Sequence, residues 1–515
     1  MGVHHASGRQ RRRDGYLLAL DAGTGSCRAV LFDLGGRQVA VARREWSHPA
    51  ASGIAGSQNF DTARNWALIC GCIREILGSG ADPGAVLAIG CSSMGGGLVL
   101  YDRGGRELWA CANGDARAGP QAEALLASGT AARLYQLGGG WISLSAPPRL
   151  DWVRQRQPAL WESCTRLSML ADWMVYRLTG TLVTEPSIGS TSGLFELSAR
   201  AWSPAIMDLH GLRPALFPEV VDAGTVVGAV TPEASVQTGL ATTTLVVAGG
   251  LDTALGLVGS QWYGPGRLAV TGGSFWKQTV VTNAPVVEPA GRLRTTCHVL
   301  PGQWLMEGIG FYAGHALRWL RDSAAELSAP GHPARDPGGY AALEQLATAV
   351  PAGSRGLLAE LVTADAWTWA RWRPPFRPAW PGPGPRAGRA DFGARARAIQ
   401  EAAGYSARSS AEILTELLGV RLREVVLTGG AARSSLWPQI LADILGLPVR
   451  VPGAGESAAA GAAAVAGLAM GVRPDAAPAA AARPAAWVAD PVPQRRQEYE
   501  VLYAQWLRRG PGASR

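Results

Sequence analysis

Apolar residues dominate "YLLALDAG" from Tyr16, break at a turn of small residues, and resume in "CRAVLFDLGGRQVAVAR". Short apolar runs bounded by glycine predict strands, so this region reads as strand, turn, strand, with the next turn at Gly35–Gly36. Helical stretches follow at about Thr62–Leu77 and Pro120–Leu126. Between them, "AVLAIGCSS" and "GLVLYD" predict strands. Trp161–Leu178 has helical spacing throughout and reads as one helix. "TTTLVVAGGLDTALGLVG" predicts a strand, a glycine turn and a helix start. A second hairpin, "GRLAVTGGSFWKQTVV", spans Gly266–Val281, and "LREVVLTGGAARSSLWPQILADILGLPV" is again strand, glycine turn, helix. The alanine-rich run Ala458–Met470 is shorter than the roughly 20 residues of a membrane span and reads as a packed helix.

Strands and helices alternate in both halves, so the fold class is α/β. With 515 residues the chain exceeds one compact core. A glycine-tipped hairpin near the start of each half suggests two related domains, each giving one hairpin to a shared cleft. The expected division is a disordered tail over 1–14, an N-terminal domain over 15–256 and a C-terminal domain over 257–510. Arg371–Arg389, rich in Pro, Gly, Arg and Trp, and the Ala/Pro segment Arg473–Arg483 read as loops.

The formal charge of +8 at first suggests nucleic acid. Its distribution argues otherwise: the one visible cluster, Arg9–Arg13, lies in the tail, the other arginines are scattered, and Lys277 is the sole lysine. A nucleic-acid surface needs a dense basic face with interleaved aromatics, so no nucleic-acid partner is expected. Seven cysteines without CxxC spacing, and a basic N-terminal stretch without an apolar core, point to a reducing cytoplasm and away from zinc and membrane.

Three glycine turns carry the candidate chemistry. Backbone N–H groups in such a turn converge on an anion because no Cβ blocks the approach. Gly23–Ser26, "GTGS", adds the hydroxyls of Thr24 and Ser26, with Arg28 nearby; Asp21 before it can hold Mg2+, which prefers hard oxygen ligands. The turns Thr271–Ser274, "TGGS", and Leu427–Ser435, "LTGGAARSS", are similar. Each alone is more often a plain turn, and Asp21 a capping acid; three together are harder to dismiss. No GxxxxGK[ST] loop occurs. Asp252 follows a strand at a helix start, where a cap is commoner than a general base. Trp109, Asp115 and Arg117 either line a polyol site or form a solvated, ion-paired loop; His315 is a lone helical histidine that reads as packing or surface.

The ordered series "LDAGTGSCRAV", "LWACANGDARA", "GGLDTALG", "TGGSFW", "EGIGFYAGHALRWLRD" and "LTGGAARSSLWPQILADILGLPV…ESAAAGAAAVAG" resembles the FGGY carbohydrate kinases from about Tyr16 to Gly471. The last motif is the most specific. The resemblance implies two actin-like, ribonuclease-H-type domains around an ATP cleft, with ATP and Mg2+ as cofactors. It assigns Asp21 to the metal, and Thr24, Gly25, Ser26 and Arg28 to the first phosphate loop. Gly272 and Gly273 match the hairpin approaching the transferred phosphate, Gly314 and Arg318 a helix beside the nucleotide, and Gly430 and Ser434 the adenosine loop. Asp252 matches the base that deprotonates the substrate hydroxyl; Trp109 and Asp115 match sugar-side positions. "LSAPPRL", "SMLADWMVYRLTG" and "GSFWKQTVV" are similar to members acting on a small linear five-carbon carbonyl polyol.

The sugar side departs from the family pattern. Gly95 and Gly96 stand where an Arg–Glu pair is usual, Thr253 and Ala254 where a glutamine is common, and Ile188 where an asparagine often precedes a small-residue run. Arg117 and Arg149 are the candidates to replace the lost donors. The expected partner is a small polyol or sugar; a homodimer is left open. A ketopentose kinase and a sugar-binding regulator without turnover are the competing readings.

Overall fold

The computed structural model describes residues 15–261, 264–273, 275–310, 312–326, 339–361, 378–380, 389–453, 456–472 and 485–509. The predicted tail 1–14, Ser274 and nearly all of the two predicted loops, 371–389 and 473–483, lie outside them. The chain forms two compact units, and their ranges do not follow a single cut. The first gathers the described residues within Met1–Gln261, Val281–Leu305 and Gly455–Ala482; the second gathers those within Trp262–Val280, Met306–Ala454 and Arg483–Arg515.

The first unit is built on a six-stranded sheet, in the order Val226–Ala229, Leu245–Leu251, Val86–Ser93, Tyr16–Ala22, Ser26–Asp33, Gln38–Glu45. Leu245–Leu251, Val86–Ser93 and Tyr16–Ala22 are mutually parallel. All three are buried along nearly their whole length, as expected of parallel strands covered on both faces. Tyr16–Ala22 and Ser26–Asp33 form the predicted antiparallel hairpin, closed by Ala22 opposite Cys27 with Asp21 opposite Arg28.

The alanine-rich helix is Ser457–Ala469, and small residues let it lie close to the sheet. A Cβ on Gly90 would come within 2.2 Å of Ala462 O, and one on Gly461 within 1.9 Å of Leu255 O. These two approaches fix the helix against the sheet and against the helix Asp252–Ser260. They also bring Glu456, which precedes it, to the tip of the hairpin.

One predicted element is wrong. Trp161–Leu178 is not a single helix: a short helix Pro158–Ser163 is followed by a strand, Arg166–Met169, and then the helix Leu170–Thr179. The strand exists because it pairs antiparallel with Leu98–Tyr101, whose other edge takes Glu107–Cys111. Local spacing carries no signal of that distant partner.

The second unit has its own hairpin, Arg267–Gly272 with Trp276–Thr282. Arg267–Gly272 pairs parallel with Glu424–Thr428, which pairs parallel with Val449–Pro452, and Ala485–Ala489 closes that side antiparallel. The helices Arg389–Leu418, Trp437–Leu445 and Pro493–Arg509 belong to this unit, where Tyr405, Ile440, Ile444, Tyr499 and Tyr503 form a buried cluster. All seven cysteines are free thiols and buried. Among the described residues no helix is long and apolar enough to cross a membrane.

Candidate active site

Three neighbouring parallel strands end at one place in the first unit, and each delivers a polar group there. Asp21 is the last residue but one of Tyr16–Ala22, Ser92 the last but one of Val86–Ser93, and Asp252 follows Leu245–Leu251. Such carboxyl ends are where ligands bind in open α/β sheets. The Ser92 hydroxyl donates to Asp21 Oδ1 at 3.0 Å, and Arg28 Nε approaches Asp21 Oδ2 at 3.2 Å. Arg28 also donates through Nη1 to Glu456. The Asp252 carboxylate accepts the N–H of Thr253 at 2.6 Å and its hydroxyl at 3.1 Å.

Asp21 is buried, and burial is the main reason its carboxyl is pushed up to about 6. Arg28 opposes that rise, while the negative charges of Asp252 and Glu456 add to it. Three acids around one arginine form a place where another cation is electrostatically welcome.

The turn between Asp21 and Arg28 is held from one side. Trp46 donates its indole N–H to Gly23 O at 2.9 Å and its backbone N–H to Gly25 O at 3.2 Å. The His48 ring contacts Thr24 O at 3.0 Å. With its carbonyls drawn to Trp46 and His48, the turn presents Gly25 to solvent, and a Cβ there would meet nothing within 4 Å. The Ser26 side chain is buried. Thr24 Oγ1 accepts from Asn113 Nδ2 at 3.1 Å, which ties the turn to the segment carrying Trp109 and Asp115.

On that segment Asp115 is fully enclosed. It pairs with Arg117 at 2.6 Å and accepts Gln58 N at 2.7 Å. The Arg117 guanidinium lies 5.1 Å from both the Trp109 and the Trp152 ring centroids, a cation–π sandwich. Arg149, also fully buried, donates to the carbonyls of Gly96, Asn113 and Asp115. Arg117 and Arg149, the candidate replacement donors for Gly95–Gly96, are thus engaged in shaping the segment. Those glycines pack tightly: a Cβ on Gly95 would fall 2.8 Å from Thr191 Cγ2 and 2.9 Å from Leu251 Cδ1, and Gly96 has φ +82°. A side chain at Gly95 would collide with the core, and one at Gly96 would have to adopt a left-handed backbone that L residues rarely take.

In the second unit the glycines of the two predicted nucleotide turns meet. The approach of Gly272 to Ala431 is so close that a Cβ would stand 2.5 Å from the alanine Cβ, and Gly429, at φ +82°, lies against Gly272 O. Packing therefore explains Gly272 and Gly429. Gly273 and Gly430 are open: the nearest atoms to an added Cβ are Phe275 O at 3.6 Å and Gly272 O at 3.7 Å. Phe275 contacts Tyr312 and His315 at 4.5 and 5.4 Å between ring centroids, which brings in the helix Ala313–Glu326 with Gly314 and Arg318. Burial, and then Arg318, depress His315 to about 4, so it is a neutral packing group near pH 7. The Ser434 hydroxyl accepts the N–H groups of Leu436 and Trp437 at the start of the helix Trp437–Leu445.

Sequence reasoning missed Glu456, Ser92, Asn113 and His48. Glu456 stood in a quoted motif, but its pairing with Arg28 spans 428 positions. Asn113 stood in another, but its bond to Thr24 spans 89 positions, and Ser92 and His48 carry no local pattern. Among the described residues no group of three or more His, Cys, Asp or Glu forms a self-sufficient metal site.

Two units of this topology define an actin-like ATPase fold, the class shared by a set of two-domain kinases. A gluconate kinase from Lactobacillus acidophilus superposes with a TM-score of 0.83 at 19% identity, covering 96% of this chain and 98% of that one. The N-terminal domain of the FGGY family of carbohydrate kinases matches residues 16–259, and its C-terminal domain matches residues 269–470. The chain belongs to this family and is a carbohydrate kinase. An autoinducer-2 kinase of Klebsiella pneumoniae is 38% identical over 504 residues, spanning 95% of this chain and 93% of its own length. One from Photorhabdus laumondii is 36% identical over 502 residues, with the same coverage.

Proposed function

We propose that this kinase transfers the terminal phosphoryl group of ATP to a hydroxyl of autoinducer-2 in its linear dihydroxypentanedione form. The observation that carries the reading is the convergence of Asp21, Ser92 and Asp252 at three parallel strand ends, with Arg28 and Glu456 beside them. The similarity to autoinducer-2 kinases over 95% of the chain supports the substrate.

Asp252 is the proposed base. It holds the substrate hydroxyl by accepting its hydrogen and takes the proton as the O–P bond forms; a carboxylate is too weak to do so earlier. Asp21 is the proposed Mg2+ ligand, and the acids crowded around it fit a divalent cation. When bound, the ion would neutralise charge on the phosphoryl oxygens. Thr24, Gly25 and Ser26 in the first unit, and Gly273 and Gly430 in the second, are the proposed phosphate and nucleotide contacts. Open glycines admit backbone N–H groups to within bonding distance of an anion. Arg28 adds positive charge and keeps Asp21 ionised. Seven thiol cysteines fit a reducing cytoplasm.

The test is coupled ADP release with autoinducer-2 precursor, ketopentoses and other linear polyols, with and without Mg2+ and with EDTA. Turnover should require both metal and polyol and be fastest with the autoinducer. A ketopentose turned over faster would reassign the substrate. ADP release at one rate with and without any polyol would replace the kinase reading with a simple ATPase.

A further inference from the structure

A buried polar chain outside the site ends on the backbone beside Asp252. The Leu251 N–H donates to Ser187 Oγ at 2.9 Å. The Ser187 hydroxyl in turn donates to Glu185 Oε2, the oxygen that also accepts Ser187 N at 2.8 Å and Ile188 N at 3.1 Å. Behind it the Glu185 N–H reaches Asp172 Oδ1 at 3.4 Å. Glu185 and Ser187 have no exposed surface, and Asp172 is buried.

The contact is made where the strand needs support. Its register against Val86–Ser93 slips between Val247 and Gly250, so the ladder is irregular just before the peptide that launches Asp252. A Cβ on Gly250 would fall 2.7 Å from Ser187 Oγ and 2.8 Å from Glu185 Oε2, so the backbone sits directly on the pair. The direction of the serine hydroxyl is fixed. With its hydrogen turned to Glu185, a lone pair is left to face Leu251 N–H.

We propose that Ser187 and Glu185 are positioning residues for Asp252: the carboxyl orients the hydroxyl, and the hydroxyl anchors the peptide from which the base projects. This rests on the reading of Asp252 as the base. The Ser187–Glu185 pair is bonded to backbone and not to the Asp252 carboxylate in the contacts described above. It acts by holding the Leu251–Asp252 peptide in one orientation, and a misplacement of about 1 Å at a reacting group costs on the order of a hundredfold in rate. Burial raises Glu185 to about 7 against its three donors, and its accepting oxygen serves them in either protonation state.

The experiment compares Ser187→Ala, Glu185→Ala and Glu185→Gln in the wild-type and Asp252→Asn backgrounds, using the best polyol found for the wild type. Ser187→Ala and Glu185→Ala should lower kcat about ten- to a hundredfold with KM for ATP within about twofold. Glu185→Gln keeps an acceptor oxygen and should stay within about threefold of wild type. In the Asp252→Asn background Ser187→Ala should cost nothing further, because groups acting through one another are not additive. Unchanged kcat in Ser187→Ala, or the same loss in both backgrounds, overturns the proposal. Ser187→Cys, which fills the same space with a poor acceptor, is read in the same way where the alanine variant does not fold. Hydrogen exchange over Gly250–Thr253 is followed alongside and should quicken in Ser187→Ala. Unchanged exchange overturns the positioning role even if the wild type phosphorylates no polyol, an outcome that would by itself sink the proposed function instead.

Discussion

The two hairpins have the same plan and opposite chemistry. In the first unit the turn follows a closing pair, Ala22 and Cys27, and the next pair inward is Asp21 opposite Arg28. In the second the closing pair is Gly272 and Trp276, and the next is Thr271 opposite Lys277. Around the first tip gather carboxylates and a guanidinium; around the second gather glycines and aromatic rings, with the Trp276 ring 4.7 Å from that of Trp437 between centroids and tilted by 34°. One plan thus serves two ends: side-chain charge in the first unit and close backbone approach in the second. The contrast teaches that a glycine turn is informative only with its neighbours. Gly272 is a packing glycine, whereas Gly25, Gly273 and Gly430 have space that no packing demand explains.

The sharpest test of the charged side is Asp252→Asn. It keeps the shape and removes the base, so phosphoryl transfer should fall by ~10²–10⁴ while ATP affinity stays within about twofold. Single-turnover phosphorylation and nucleotide titration check this. A rate within a few-fold of wild type would leave Asp252 as the helix-start acid of its commoner reading and dissolve the functional half of the comparison.

Asp21 offers a second test, in which stability and activity move in opposite directions. Its carboxyl stands at about 6 in the fold against 3.8 ordinarily. Between those values the native state keeps a proton that the unfolded chain has lost. Stability therefore falls as pH rises from about 4 to about 6 and levels off above, a total of about 3 kcal/mol for this group. Asp21→Asn removes the effect. Its melting temperature should match wild type near pH 4 and exceed it at pH 7, with Mg2+-dependent turnover lost. Equal melting at both values would mean that Arg28 and Ser92 already compensate the buried charge.

Much of this was legible in the sequence, for reasons that differ by element. Both hairpins were readable because a glycine turn between two apolar runs is a local signal, and the helix Ser457–Ala469 because alanine is a strong helix former. The strand Arg166–Met169 was not, since it exists only through its partner Leu98–Tyr101. Asp21, Arg28 and Asp252 could be singled out by residue type and position. Glu456 could not be joined to them, because two glycine-lined packing contacts of its helix, remote in sequence, decide where it falls. The family resemblance gives Asp115 to the sugar side, while its loop alone reads equally as a solvated, ion-paired one. Here Gln58 and Arg117 close over it, a fact spread across 59 positions of chain.

On the backbone side, Gly272→Ala and Gly430→Ala should separate packing from binding. The first drives a Cβ to 2.5 Å from Ala431 and should destabilise the protein by about 1–3 kcal/mol through overpacking. The second has room, so it should melt like wild type. It should still weaken ATP about tenfold if it blocks one charge-assisted backbone contact, worth roughly 1.5–3 kcal/mol. Urea unfolding and nucleotide titration of both variants read the pair. A Gly430→Ala protein with unchanged ATP affinity would remove the backbone-approach account from that loop.

The smallest effect belongs to Ser434, which the family resemblance gives to the nucleotide and the structure engages in the backbone. Its hydroxyl accepts Trp437 N at 2.9 Å and Leu436 N at 3.2 Å. Glu344 Oε1 also takes the N–H groups of Ser435 and Leu436, at 2.6 and 3.0 Å. A helix start supported twice loses little when one support goes. Ser434→Ala should therefore cost about 1 kcal/mol or less, at the low end for a lost capping group, and change ATP affinity by less than about threefold. Urea unfolding measures the first and nucleotide titration the second. If affinity instead drops tenfold with stability unchanged, the hydroxyl turns from the helix to the nucleotide when ATP binds. The second unit would then use side-chain chemistry as the first does, and the contrast between the hairpins would narrow to the acids alone.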